Sequence, residues 1–362
     1  MNSGYAIVPG APRTNKRDVL GLADRNLPVP PQGHEARYLK YYERNPLGPP
    51  SLFLARETRS QQFVGLAAAF PTRLRVFGEL VPAVIGGDFA VDDGHRGFGP
   101  AIALQRAVLS ALGENGVRCM YGNPNVFSEP VLDRVGWVDL GRLSRFVKVL
   151  KSRVIVDRYA RSRRLARLAA ALSTVGVDPI LSVLSRERLH RPKHSFRVEQ
   201  PDKFDERFSD ICESMWRQHA ITCDRNPDFL NWKYEKVGPR GGSGVFTVFS
   251  LVGMEDRILG YIVYRVRNGI RHIVDIVVQP SRTIVDALLS EFILDARRQG
   301  AAAINLLYFG SATLLTQRLR TFGFFRRTDP SGLRVYVSGT SPLELDLVKR
   351  ENWYFLKGDA DV

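Results

Sequence analysis

Residues 84–109, VIGGDFAVDDGHRGFGPAIALQRAVL, hold the side chains whose types and spacing are best suited to chemistry. An apolar, strand-like run ends at Val91 and leads through Arg96-Gly97-Phe98-Gly99-Pro100-Ala101 into an apolar helical pattern. A glycine-bearing turn at a helix start offers free backbone N–H groups and the positive end of the helix dipole, which together can hold a pyrophosphate. Gly97 and Gly99 let an anion approach the backbone closely, and Arg96 at the mouth of the turn adds charge. Pro100 has no N–H to donate, but its fixed φ suits a first helical turn.

The order Val91, Arg96, Gly99, Ala101 between a strand and a helix resembles the acyl-CoA-binding motif of GNAT-superfamily acyltransferases. Further on, NPNVFSEPVLDRVGW (Asn123 to Trp137) resembles that family's second motif, a strand ending in an asparagine loop and a short helix closing on Gly-Trp. The resemblance implies an α/β fold, a mixed and mostly antiparallel sheet flanked by helices. It also implies transfer of an acetyl or longer acyl group from acetyl-CoA or acyl-CoA to an amine, with no metal. Two departures stand out. Asp93 occupies a position that is often proline in the family, and Leu132 stands where a tyrosine general acid is common.

The same resemblance assigns roles. The pyrophosphate rests on the N–H groups of Gly97, Phe98, Gly99 and Ala101 with Arg96 beside it, and the main chain of Phe89, Ala90 and Val91 pairs with the pantetheine arm as an added strand. Asn125 contacts that arm, or else makes an Asx turn before the helix. Asp88, in the strand before the loop, is the candidate base; the alternative is a carboxylate that satisfies a neighbouring turn or arginine. Tyr121 is the nearest candidate acid, and otherwise a core aromatic. Trp232, Tyr234 and Trp353 either line an acceptor pocket or pack.

The second half repeats the plan in degraded form. Val274–Val278 echoes Gly87–Val91 at an offset of 187, which also takes Tyr121 to Tyr308 and Gly136-Trp137 to Gly323-Phe324. Val64-Gly65 answers Leu259-Gly260, and Tyr38–Tyr41 answers Phe229–Trp232. Gln279–Ile284 replaces the glycine loop without a glycine, so this copy is expected not to bind CoA. The expected layout is a loose, proline-bearing arm over 1–33, a first GNAT-like domain over 34–150, a basic helical connector over 151–197 and a second, degenerate domain over 198–362.

Charge adds a further expectation. The chain carries +15 with a pI near 10. Between Lys148 and Arg197 thirteen Lys/Arg outweigh three Asp/Glu, a net of +10. An amphipathic helix over 165–184 reads as a solvated link, as a contact for an anionic membrane surface, or as a dock for an acyl carrier protein. Nucleic acid is disfavoured, because no aromatic platform accompanies the basic stripe. Three cysteines without metal spacing, no signal peptide and no clean membrane span point to a reducing, cytoplasmic setting. The acceptor is a small-molecule or cell-surface-precursor amine, as for tandem bacterial acyltransferases. Competing classes are a FemAB-like transferase using aminoacyl-tRNA and a non-catalytic CoA-binding protein.

Overall fold

The computed structural model describes residues 4–30, 32–114, 116–151, 186–192, 196–235, 245–311 and 313–360. The first half runs β1 (Tyr5–Gly10), α1 (Lys16–Asn26), α2 (His34–Tyr38), β2 (Ser51–Glu57), β3 (Phe63–Val76), β4 (Glu79–Val91), α3 (Phe98–Glu114), β5 (Cys119–Gly122), α4 (Glu129–Arg134) and β6 (Val138–Val149). The second begins with α5 (Arg186–Leu189), β7 (Arg197–Glu199), α6 (Arg207–Gln218), β8 (Ile221–Cys223), α7 (Pro227–Lys233) and β9 (Phe246–Val252). It continues through β10 (Ile258–Arg267), β11 (Ile270–Val278), α8 (Arg282–Arg298), β12 (Ala303–Gly310), α9 (Leu314–Thr321), β13 (Phe325–Val337), α10 (Pro342–Leu347) and β14 (Trp353–Leu356).

The succession β3-β4-α3-β5-α4-β6 recurs as β10-β11-α8-β12-α9-β13, and a close helix–strand contact recurs with it. A Cβ on Gly65 would lie 3.0 Å from the Ala90 carbonyl and 3.2 Å from Leu104 of α3. A Cβ on Gly260 would lie 3.1 Å from the Val277 carbonyl and 3.1 Å from Leu288 of α8. At each site the missing side chain lets the helix seat against its strand pair.

The halves share one sheet, in the order β1-β2-β3-β4-β5-β13-β6-β12-β11-β10-β9-β7. Each half lends its last strand to the other: β13 lies between β5 and β6, and β6 pairs with β12. Strands β8 and β14 form a second bridge, from β3 to β12. Only two pairings along the main order are parallel, β4 with β5 and β11 with β12.

The arm expected to be loose is built into the fold. Strand β1 pairs with β2 over its whole length, and α1 buries Val19, Leu22 and Ala23. Sequence composition misses this because the proline cluster marks a turn after α1 rather than the start of order. The helix expected over 165–184 lies outside the described residues. Near its end, Glu187 is fully buried between Lys148 and Arg297. All three cysteines are buried, and desolvation pushes their thiols up, away from reactivity.

His219, at the end of α6, stacks on Tyr354 with ring centroids 4.3 Å apart. Burial, helped by Arg225, brings its pKa down to about 4. The folded chain therefore resists a proton that the unfolded chain accepts near pH ~6.5. Its stabilising contribution is complete above that pH and declines as pH falls towards about 4. Urea melts at pH 7 and pH 5 are expected to differ more for the native chain than for His219→Gln.

Candidate functional site

Strands β4 and β5 pair only at Ala83–Cys119, Val84–Met120 and Ile85–Tyr121. Beyond that point β4 continues to Val91 while β5 ends at Gly122, and the strands part into a wedge. The wedge widens towards the N-terminus of α3, which carries the Arg96–Ala101 loop. Two adjoining cavities of about 500 and 360 Å³ occupy it, sharing Leu27, Pro28, Phe89, Asn125 and Ser128 as walls.

The first cavity gathers Phe89, Ala90, Val91, Arg96, Gly97, Ala101 and Asn125 from the sequence-derived set. Phe98 begins α3 and Gly99 lies exposed in its first turn. A Cβ on Gly97 or Gly99 would meet nothing within 4 Å, so packing within the chain does not require glycine at either place. Arg96 is held at the rim by Asp93, 2.6 Å away, and by the Val91 carbonyl. Asn125 makes the Asx turn, its Oδ1 accepting from the Phe127 and Ser128 amides at 3.0 Å, while its side of the loop still faces both cavities.

Asp88 lines the second cavity and is the one carboxylate among the described residues lining either. A bulge opposite Leu66–Ala68 and a φ of 44° turn it out of the strand pattern, a conformation that aspartate tolerates better than most side chains. Arg37 donates to its Oδ1 from Nε at 3.1 Å and Nη2 at 3.0 Å, and the Tyr42 hydroxyl donates to Oδ2 at 2.9 Å. Burial and the Asp88 charge push the Tyr42 phenol well up, so it stays a donor. Sequence reading allows an arginine partner for Asp88 without naming it. In the structure Arg225, Tyr234 and Asp275 form a similar trio in the second half, at a sequence spacing that does not match Arg37 and Tyr42.

The structure does not bring Tyr121 to the wedge. Strand alternation sends Met120 to the α3 side and Tyr121 to the opposite face. There it is fully buried, its hydroxyl 3.1 Å from Cys223 Sγ and donating to the Asp359 carbonyl at 3.2 Å. Trp232, Tyr234 and Trp353 are packing residues, not pocket walls: Trp232 stacks near Tyr41 and Phe229, and the other two are 1% exposed. The arm contributes walls that sequence reading misses. Arg25 and Asn26 clamp Asp92 at 2.8 and 2.5 Å, which sets Leu27 and Pro28 across the cleft from Phe127.

The matching wedge in the second half is filled at its Asp275 end. Asp275 meets Arg225 Nε at 3.1 Å and the Tyr234 hydroxyl at 3.2 Å. Arg225 also donates to Asp359 at 2.7 and 2.8 Å, with all three charged side chains at most 3% exposed. A Cβ on Gly358 would fall 2.7 Å from the Val274 carbonyl, so the segment after β14 lies directly on β11. A remaining cavity of about 360 Å³ borders Val277–Pro280. Among the described residues no group of three or more His, Cys, Asp or Glu could hold a metal ion, and no helix is long and apolar enough to cross a membrane.

No family model and no curated protein matches the sequence. Solved structures match in fold. A conserved Enterococcus faecalis V583 protein of unknown function, described as a probable N-acyltransferase, gives a TM-score of 0.65 at 14% identity, over 92% of this chain and 73% of that one. A GCN5-related N-acetyltransferase from Anabaena variabilis gives 0.62 at 14%, with the same coverage. Saccharomyces cerevisiae N-myristoyltransferase, solved with bound myristoyl-CoA, gives 0.55 at 11% over 100% of this chain and 85% of that one. The chain therefore has the fold of the GCN5-related N-acetyltransferases, and the mixed α/β class expected from the sequence.

Proposed function

We propose that the chain is an acyl-CoA-dependent N-acyltransferase with one donor site, in the wedge between β4 and β5. The observation that carries this reading is the contrast between two equivalent wedges: the first is open from Asp88 to the glycine-bearing Arg96 loop, whereas the second is closed around Asp275 by the chain's own Gly358–Asp359 and keeps only a cavity beside a loop without glycine. The pyrophosphate would lie on the first-turn amides of α3, and the pantetheine would run beside Phe89–Val91. An amine attacks the thioester carbon, a C–N bond forms, the C–S bond breaks and CoA leaves as the thiol or thiolate. Asp88 is the group suited to receive the ammonium proton or to hold the incoming ammonium, with Arg37 and Tyr42 fixing its orientation. Tyr121 is buried on the opposite face of the sheet and does not serve as the acid, and solvent at the open mouth can protonate the thiolate.

The test is calorimetric titration with CoA and acetyl-CoA, followed by an amine screen monitored by thiol release. Micromolar binding with turnover supports the reading. Binding without turnover on any amine would assign a non-catalytic CoA-binding protein, and a steep loss of rate with salt would favour a carrier-protein donor. Asp88→Asn is expected to lower turnover by about a hundredfold while leaving CoA affinity unchanged. Amines of small molecules or cell-surface precursors are the acceptors to screen first.

A further inference from the structure

The cavity that Asp88 enters has two walls that the chemistry above does not use. Gln105 Oε1 and Trp137 Nε1 are buried polar atoms without a hydrogen-bond partner among the described residues. Gln105 is 3% exposed and Trp137 6%, and both line this cavity. Such atoms cost stability, so their retention calls for a group that takes the bonds.

The repeat supplies an internal comparison. Leu104 covers Gly65 as Leu288 covers Gly260, so Gln105, next along α3, corresponds to Leu289. Trp137 follows a glycine with φ 89° and bonds back to the Leu132 carbonyl; Phe324 follows one with φ 81° and bonds back to the Leu319 carbonyl. Leu289 and Phe324 are buried hydrocarbon. The fold thus accepts apolar side chains at both places, and the polar atoms occur in the half whose wedge is open.

We propose that Gln105 and Trp137 form a subsite for a hydroxyl on the donor's acyl group, making the site selective for hydroxyacyl over plain acyl thioesters. The proposal rests on the wedge being a thioester site. A donor anchored at the Arg96 loop and running back along β4 from Val91 delivers its acyl group to the closed end. The Trp137 ring lies there, 3.3 Å from where a Gly86 Cβ would be. An indole N–H only donates and the glutamine oxygen only accepts. A hydroxyl can both accept from the one and donate to the other, whereas an ammonium only donates, a carboxylate only accepts and a hydrocarbon chain does neither.

The test measures binding of CoA, butyryl-CoA, 2-hydroxybutyryl-CoA and 3-hydroxybutyryl-CoA to the full chain and to Gln105→Leu and Trp137→Phe, which install the other half's residues. One hydroxylated ester is expected to bind about tenfold more tightly than butyryl-CoA to the native chain. That margin is expected to vanish in both variants, with butyryl-CoA affinity nearly unchanged. Equal binding of the three esters to the native chain overturns the subsite even if neither variant folds, as does a margin that survives both substitutions. If CoA itself fails to bind, the thioester reading falls and the subsite with it.

Discussion

Arg96→Glu combined with Gly99→Asp is expected to weaken CoA binding by about a thousandfold or more, from one lost charge-assisted bond and two like charges set against a pyrophosphate. The fold should not register the change. Arg96 is an exposed side chain at the loop mouth, and a Cβ at position 99 projects into open space. The thermal midpoint is therefore expected to stay within a degree or two of native, since surface substitutions of this kind shift stability by about 0.5 kcal/mol or less. Calorimetry and a melting curve on the same sample check both halves of the statement. An equivalent double change at Ser281 and Arg282, at the start of α8, should leave CoA affinity untouched, because the loop from Gln279 to Ile284 has no glycine to let a pyrophosphate approach the backbone.

Arg225→Met is expected to destabilise the chain by about 3–5 kcal/mol, the range seen when one member of a buried ionic cluster is removed. Asp275 and Asp359 would then face each other across a dry interior, and Arg225 would no longer hold the Cys223 carbonyl at 2.9 Å. Adding Asp275→Asn and Asp359→Asn should restore most of the loss, because neutral amides need no counter-charge. If the triple variant is no more stable than the single one, the loss comes from packing rather than from stranded charge. Urea titration of the three chains decides between these. CoA affinity should be unchanged throughout, since the cluster lies in the other half.

Much of the Arg96 side of the cleft is readable from residue order alone. Phe89 to Val91, Arg96, Gly97 and Ala101 follow one another through a strand, a turn and a helix, so local geometry is enough to bring them together, and the pairing of β5 with β4 adds Asn125. The Asp88 side is different. Arg37 and Tyr42 reach Asp88 across some fifty residues of chain, and neither periodicity nor composition reports such a meeting. Tyr121 is misjudged for a more elementary reason: a strand residue has two faces to choose from, and the choice is made by Trp353 and Phe355, far along the chain. The arm is misjudged because its order comes from pairing with β2 rather than from any strong pattern of its own. The repeat, in contrast, is visible in the sequence, since the turn glycine and the aspartate recur at an offset of 187 and the helix-seat glycine, Gly65, recurs as Gly260.

The lending of last strands between the halves has a consequence for synthesis. Strand β5 finds its partner β13 only when Arg334–Val337 has been made, because those residues pair with Cys119–Gly122. At roughly 5–20 residues per second, the nascent first half waits roughly 10–40 s with one sheet edge bare. An unpaired apolar edge is an invitation to association with other chains. The first half is thus made with that edge of β5 open until its neighbour emerges, and a temporary pairing of β5 with β6 would cover it.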